Sequence, residues 1–208
     1  VAEEIKGKVK SQVEELVKNG KRAPSLVTVA VGDDEGSLRY CEMKIKAAQA
    51  CGITARVVHL TADKATQVGL QELLQTLSMD DTVDGILLQL PLPAGLDERA
   101  GIESIVPSKD VDGLTAYNAG LLCCSNEQDA LISCTASGIV SLLEHEFKDG
   151  SLKGLDIAIV SRSIVVGRPL SQLLLNRRAT VSVLHSGTKD LSSYTLRADV
   201  VVTAAGNA

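Results

Sequence analysis

The sequence predicts an α/β protein of two successive lobes, each a parallel or mostly parallel sheet with helical cover. Three observations carry this reading. Apolar residues recur every three or four positions in several segments, the period of a half-buried helix. Short β-rich runs alternate with those segments, the order that parallel sheets require. The pattern lapses over residues 106–134 and then resumes, placing a division near Ser133 between domains of residues 1–132 and 133–208.

Val1, Ile5, Val9, Val13 and Leu16 repeat among charges, an amphipathic helix that Asn19-Gly20 ends. After Pro24, residues 26–31 form a β-rich run. Leu38, Cys41, Ile45 and Ala48 give a helix over 37–50, stopped by Gly52. Residues 55–60 read as a strand, 67–77 as a helix and 85–88 as a strand. Leu90-Pro91-Leu92-Pro93 halts the alternation, and 96–105 reads as one more helix. The stretch 106–134, rich in Asp, Gly, Ser and Asn, keeps no period.

The second run has a helix at 138–147, a strand at 155–160 and a helix at 168–176 with Pro169 in its first turn. Strands follow at 180–184 and 199–203. Val200-Val201-Val202 is the continuous apolar run of a strand buried on both faces. Little chain follows Thr203 to cover that strand, so the sequence reads as lacking a C-terminal part. Val1 already lies inside a helical pattern, so the start reads as clipped.

Among 208 residues, 26 acids face 21 bases for a net charge of −5, and only 2% are aromatic. Phosphate attraction and stacking platforms are both lacking, which argues against a nucleic-acid ligand. No apolar run approaches the ~18 residues of a membrane span, and nothing suggests a membrane surface as partner. The five cysteines lack CxxC spacing, which disfavours a disulfide framework or a zinc site and favours a reducing compartment. Most of them read as small hydrophobes on buried faces, and no metal-ligand set is read.

Two constellations could carry chemistry. Around Ser161-Arg162-Ser163, a strand feeds a polar turn, and Gly167 precedes a Pro-initiated helix. A dinucleotide pyrophosphate meets a helix N-terminus in this way, although a plain β-α connection fits equally and GxGxxG is absent. The next strand ends in His185-Ser186-Gly187-Thr188-Lys189, with no acid before Asp190 to bind a ribose 2′-hydroxyl. With Arg162 nearby, that favours NADP over NAD.

The other constellation is Tyr40 and Lys44, four apart on one helix and at the edge of its buried stripe. A Lys against apolar walls can serve as an acid/base group, and a solvated Lys beside a Tyr is the plain alternative. Tyr-x-x-x-Lys also marks short-chain dehydrogenases, but there the nucleotide turn comes first, and here Tyr40 precedes Ser161. Gln89 is a lone amide at the carboxyl end of a strand, where α/β sheets place ligands. Lys109-Asp110-Val111-Asp112-Gly113 adds acids before a turn glycine.

Taken together, Ser37-x-x-Tyr40-x-x-x-Lys44, Gln89-Leu-Pro-Leu-Pro93, Lys109-Asp-Val-Asp-Gly113, Cys134-Thr135 and Arg162-Ser163-x-x-Val166-Gly167-x-Pro169 resemble the methylenetetrahydrofolate dehydrogenase/methenyltetrahydrofolate cyclohydrolase family. The resemblance spans essentially the whole chain. It implies an N-terminal folate-site domain, a Rossmann-like NADP domain that is C-terminally incomplete here, and a cleft between them. It assigns Lys44 as the acid/base group, Tyr40 to stack on folate, Gln89 to orient Lys44 and Asp112 to hold the pterin edge. Substrate contacts at Leu88 and Leu90, and cofactor contacts at Thr135, Ser161, Arg162, Ser163 and Ser186, follow from the same resemblance, as do a homodimer and a cytoplasmic or organelle-matrix location.

The implied reaction is oxidation of 5,10-methylenetetrahydrofolate with NADP⁺, then hydrolysis to 10-formyltetrahydrofolate. A non-catalytic folate- or nucleotide-binding relative and a cyclohydrolase-only enzyme are the alternatives. Ser161 stands where the family has Gly, and a turn needing positive φ there would be strained by Ser. Ser133-Cys134-Thr135-Ala136 stands where the family has Pro-Cys-Thr-Pro, and the family's Gly-rich C-terminal segment is not in the sequence.

Overall fold

Asp34, Thr66, Asp97, Thr115 and Asp190 each accept a backbone N–H at the start of a helix. Short oxygen-bearing side chains thus satisfy amides that the helix itself leaves without a partner. The computed structural model describes residues 1–147 and 149–205. The chain forms two compact units, Val1–Val111 and a second running on from Asp112.

In the first unit, α1 (Ala2–Lys18), β1 (Ser25–Val31), α2 (Glu35–Ala50), β2 (Thr54–Leu60), α3 (Gln67–Met79), β3 (Gly85–Leu88) and α4 (Glu98–Ile102) alternate, followed by a 3-10 turn at Pro107–Lys109. The sheet order is β2-β1-β3, all parallel. In the central strand β1, Val27 and Val29 are completely buried with Leu70, Leu74 and Ile86. Burying each such side chain contributes roughly 1.5–3 kcal/mol, which is what holds α3 on the sheet.

The second unit contains α5 (Ala116–Cys123), α6 (Cys134–Glu146), β4 (Asp156–Val160), α7 (Gly167–Asn176), β5 (Thr180–Leu184), α8 (Leu191–Thr195) and β6 (Val200–Thr203). Its parallel sheet runs β5-β4-β6. Ile157 and Ile159 of β4 pack with Val140 of α6 and Leu170, Leu173 and Leu174 of α7. The stretch ahead of Ser133 packs on α7: Ser125 Oγ donates to Asn176 Oδ1 at 2.9 Å, and Arg177 holds Glu127 and Glu144.

Several expectations need correction. The helix expected at 96–105 is the five-residue α4, because Asp97 caps it and the chain tightens into i+3 turns at Ser104 and Ile105. Helices α5 and α8 form where no period was legible, since one or two turns are too short to display one. Among the described residues β6 pairs with β4 alone and Val201 is 43% exposed, in keeping with the expectation of an apolar strand that little following chain covers. Cys41 and Cys51 are buried, but Cys123, Cys124 and Cys134 are exposed, so most of the cysteines are not core residues. Among the described residues no helix is long and apolar enough to cross a membrane.

At the amino ends of β1 and β3, Arg22 donates to both oxygens of Asp84 (2.5 and 2.9 Å), and Asp84 also accepts from the Ser25 amide at 2.7 Å. The Arg22 hydrogen bond, aided by the Ser25 amide, holds the Asp84 carboxyl below the usual aspartate value. A depressed folded-state pKa contributes stability above the unfolded pKa and loses it as pH falls through the folded one. Both side chains are about half exposed (49% and 48%), so the pair contributes about 1 kcal/mol or less. The Tm difference between wild type and Asp84→Asn should stay constant from neutral pH to about pH 5 and shrink in stronger acid, a trend that thermal melts across pH will check.

Candidate active site

The carboxyl ends of β1 and β3 carry the first constellation. Gln89 follows β3, and its backbone N–H donates to Val29 O of β1 at 2.9 Å, so the sheet sets its position. Its Nε2 donates to Leu90 O at 2.7 Å, which leaves Oε1 facing α2. That helix starts where Asp34 accepts from the Ser37 amide at 2.7 Å. Lys44 of α2 donates from Nζ to Gln89 Oε1 at 3.0 Å, and its Nζ lies 4.6 Å from the centroid of the Tyr40 ring. The ammonium therefore rests between an amide oxygen and an aromatic face, both attractive to a cation. No ion pair engages Lys44 among the described residues. Tyr40 is 52% exposed, so much of its ring remains open to solvent. Leu88 is buried within β3 and Leu90 is half-buried.

The Lys109–Gly113 motif divides its tasks. Lys109 Nζ donates to Asp80 O at 2.8 Å, satisfying a carbonyl at the end of α3. Asp110 is buried and forms a parallel bridge with Ile86, which extends the pairing beside β3. Asp112 is half-buried and opens the second unit. Gly113 has φ +62°, and a Cβ there would fall on the Leu131 carbonyl oxygen. Only glycine fits both demands.

In the second unit, the turn from β4 to α7 is organised by Ser163. Its Oγ accepts from the amides of Val166 (3.1 Å) and Gly167 (3.4 Å), and the Ser161 hydroxyl lies 3.3 Å away. Gly167 passes so close to Ser161 that a Cβ would land on the Ser161 carbonyl oxygen. This is the close helix–strand approach that a dinucleotide site needs. Ser161 does not adopt positive φ; among non-glycine described residues only Ser125 and Arg178 do, so serine brings no strain there. Arg162 is exposed on the turn, and Thr135 is exposed in the first turn of α6. Ser133 Oγ donates to Val165 O at 2.6 Å, tying the start of α6 to the same turn.

Beyond β5, His185 and Thr188 close a tight turn through two hydrogen bonds (2.8 and 3.0 Å), which leaves Ser186 exposed at its tip. A groove beside it is lined by His185, Thr188, Lys189, Asp190 and Tyr194. The Asp190 carboxylate is engaged as the cap of α8, accepting from Ser192 Oγ (2.7 Å) and the Ser193 amide (3.1 Å). The Ser192 hydrogen bond, with the Ser193 amide, holds its pKa below the usual aspartate value. An exposed Arg162 and an exposed Ser186 thus lie on the turns after β4 and β5, groups whose chemistry suits a 2′-phosphate.

Residues 1–112 match the family described as tetrahydrofolate dehydrogenase/cyclohydrolase, catalytic domain, and residues 133–208 match its NAD(P)-binding domain. The chain belongs to the tetrahydrofolate dehydrogenase/cyclohydrolase family. It is 42% identical over 207 residues to the bifunctional protein FolD of Nitrosopumilus maritimus, covering 100% of this chain and 70% of that one. The FolD methylenetetrahydrofolate dehydrogenase/cyclohydrolase structure from Campylobacter jejuni aligns with a TM-score of 0.92 at 42% identity, over 98% of this chain and 70% of that one. The Trypanosoma brucei FolD structure, complexed with NADP cofactor and inhibitor, aligns with a TM-score of 0.92 at 34% identity, over 99% of this chain and 69% of that one. The chain thus spans about 70% of the length of these family members.

One contact at Gln89 is not legible from the motif. Cys41 reads as a core residue of the α2 stripe, yet its Sγ lies 3.7 Å from Gln89 Oε1. Its place three residues before Lys44 is the only sequence signal that could have found it.

Gly167 and Gly138 offer a matched comparison in the second unit. At Gly167 the obstruction is backbone, which cannot rotate away, whereas Gly138 lies in α6 with open space around it. Gly167→Ala should cost about 1–3 kcal/mol as an overpacked site does, and Gly138→Ala should be neutral or gain up to about 1 kcal/mol. Urea titrations of both variants give the comparison.

Proposed function

We propose that this chain oxidises 5,10-methylenetetrahydrofolate to 5,10-methenyltetrahydrofolate with NADP⁺ and hydrolyses that product to 10-formyltetrahydrofolate. The observation that carries the reading is Lys44, held 3.0 Å from the neutral Gln89 amide and against the Tyr40 ring. A neutral acceptor orients the amine without the strong ionic clamp of a carboxylate.

In the hydrolytic step, the unprotonated form of Lys44 Nζ takes one proton of the water whose oxygen bonds to the methenyl carbon. It returns that proton to the ring nitrogen released when the carbon–nitrogen bond breaks, and the remaining hydroxyl proton leaves to solvent as the formyl carbonyl forms. Gln89 keeps Nζ at that position, Tyr40 offers its half-exposed face to the pterin, and Asp112 binds the polar pterin edge. Leu88 and Leu90 flank Gln89 along the same strand end. NADP, when bound, supplies the acceptor for the hydride of the methylene carbon. Arg162 and Ser186 would hold its 2′-phosphate, and Thr135, Ser161 and Ser163 would line its phosphate path.

This reading makes a tetrahydrofolate derivative the partner of the chain and gives no role to nucleic acid or membrane. A homodimer in the cytoplasm or an organelle matrix belongs to the same proposal, by likeness to the family. Of the two grounds for a non-catalytic alternative, Ser161 and the missing C-terminal segment, the first loses its force because Ser161 does not adopt positive φ.

Lys44→Met keeps the apolar stem and deletes the ionisable group. Hydrolysis of supplied methenyltetrahydrofolate should fall by about 10²–10⁴-fold, the usual worth of acid/base catalysis, and hydride transfer by less. Both rates measured on one variant test this, and unchanged hydrolysis removes Lys44 from the mechanism.

Arg162→Ala removes a charge-assisted bond worth ~1.5–3 kcal/mol, so NADP binding should weaken about ten- to a hundredfold and NAD binding barely change. Calorimetric titration with both dinucleotides decides it. Equal losses would assign Arg162 to the pyrophosphate or the fold.

A further inference from the structure

We propose that Cys41 is a positioning residue of this site, its thiol donating to Gln89 Oε1 as the second donor beside Lys44. The inference rests on the reading of Lys44 and Gln89 as functional, and it adds a residue that no motif of the family marks here.

An amide oxygen has two lone pairs and an amide nitrogen two protons. At Gln89, Nε2 donates to Leu90 O at 2.7 Å, and Lys44 Nζ takes one side of Oε1 at 3.0 Å. Cys41 Sγ lies 3.7 Å from the same oxygen, within reach of a sulfur donor. Cys41 is completely buried on the inner stripe of α2, three residues before Lys44. Both donors therefore come from one helix face and meet one oxygen.

The thiol must carry its proton to play this part. Burial pushes the Cys41 thiol up from its ordinary value, and the Lys44 charge only partly offsets that. At neutral pH it is an S–H donor and not a thiolate acceptor. Its effect is to add a second donor to the orientation of Gln89 that Lys44 and Leu90 O already favour. A flipped amide would turn N–H groups toward both the thiol and the ammonium and would lose the bond to Leu90 O. A valine or alanine at this position would fill space on the stripe without biasing the amide. Lys44 depends on that amide for its placement, so Cys41 acts on the chemistry through Gln89 and touches no substrate.

The test uses the full chain and the variants Cys41→Val and Gln89→Leu, with two readouts. Infrared difference spectra against Cys41→Val isolate the S–H stretch of this thiol from those of the other four cysteines. A hydrogen-bonded S–H absorbs at lower frequency, and in Gln89→Leu the band should move up to the free position. In steady-state hydrolysis of methenyltetrahydrofolate, Cys41→Val should lower kcat about three- to tenfold, the worth of one weak neutral hydrogen bond, with KM and Tm nearly unchanged. A band that ignores Gln89→Leu, or a Cys41→Val enzyme with wild-type kcat, overturns the proposal and leaves Cys41 as packing. Absence of hydrolysis in the wild-type chain would instead count against the proposed function. The spectral arm requires no activity, so it separates the two failures.

Discussion

The side-chain oxygen of Gln89 is the acceptor that the proposed chemistry of the first unit depends on. It sits at the end of β3, and its own backbone N–H is bonded to β1, so the sheet and not a mobile loop determines where it points. Lys44 has a long stem with costly rotamer freedom, and an amine with no fixed acceptor would sample many positions. One hydrogen bond at 3.0 Å and one aromatic face at 4.6 Å reduce that freedom. Because the acceptor is neutral, the positioning comes without a competing negative charge.

The same economy of parts recurs in the second unit. Ser163 bonds the amides of Val166 and Gly167, which would otherwise be without partners at the start of α7. That lets the turn stay ordered while Gly167 runs against the Ser161 carbonyl. The absence of a side chain at Gly167 is what permits the approach, and Arg162 is left exposed beside it. Helix start, strand end and a cation are thus brought together by two small residues and one glycine.

How much of this was legible in the sequence follows from length and periodicity. Helices α1, α2, α3 and α7 show their apolar period over ten or more residues, and β1 and β4 their β-rich runs, so two parallel sheets could be read directly. Helices α5 and α8 could not, because eight and five residues hold too few repeats. Val200-Val201-Val202 was legible as an apolar strand, and among the described residues it lies at the edge of its sheet. Among the candidate site residues, Tyr40, Lys44 and Gln89 were legible as strand-end and helix-edge polar groups. Cys41 was not, because a residue on a helical apolar stripe gives no sign that a polar atom from another strand reaches it. Lys109 was also opaque, since its task is a carbonyl at the end of α3 that lies far away in sequence.

The capping of α8 shows how a folding requirement can shape cofactor choice. After β5, the first acid in the chain is Asp190. A carboxylate near this strand end would ordinarily be free to accept from a ribose 2′-hydroxyl and to repel a 2′-phosphate. Here its Oδ1 accepts from both the Ser192 hydroxyl and the Ser193 amide, which fixes the ionised carboxylate at the start of a five-residue helix. A helix that short has little propensity of its own and depends on its cap. Turning Asp190 away from the helix would therefore cost α8 that cap. The fold thus orients the acid by the helix, and beside it at the end of β5 lie the exposed Ser186 and Lys189, groups that can donate to a phosphate.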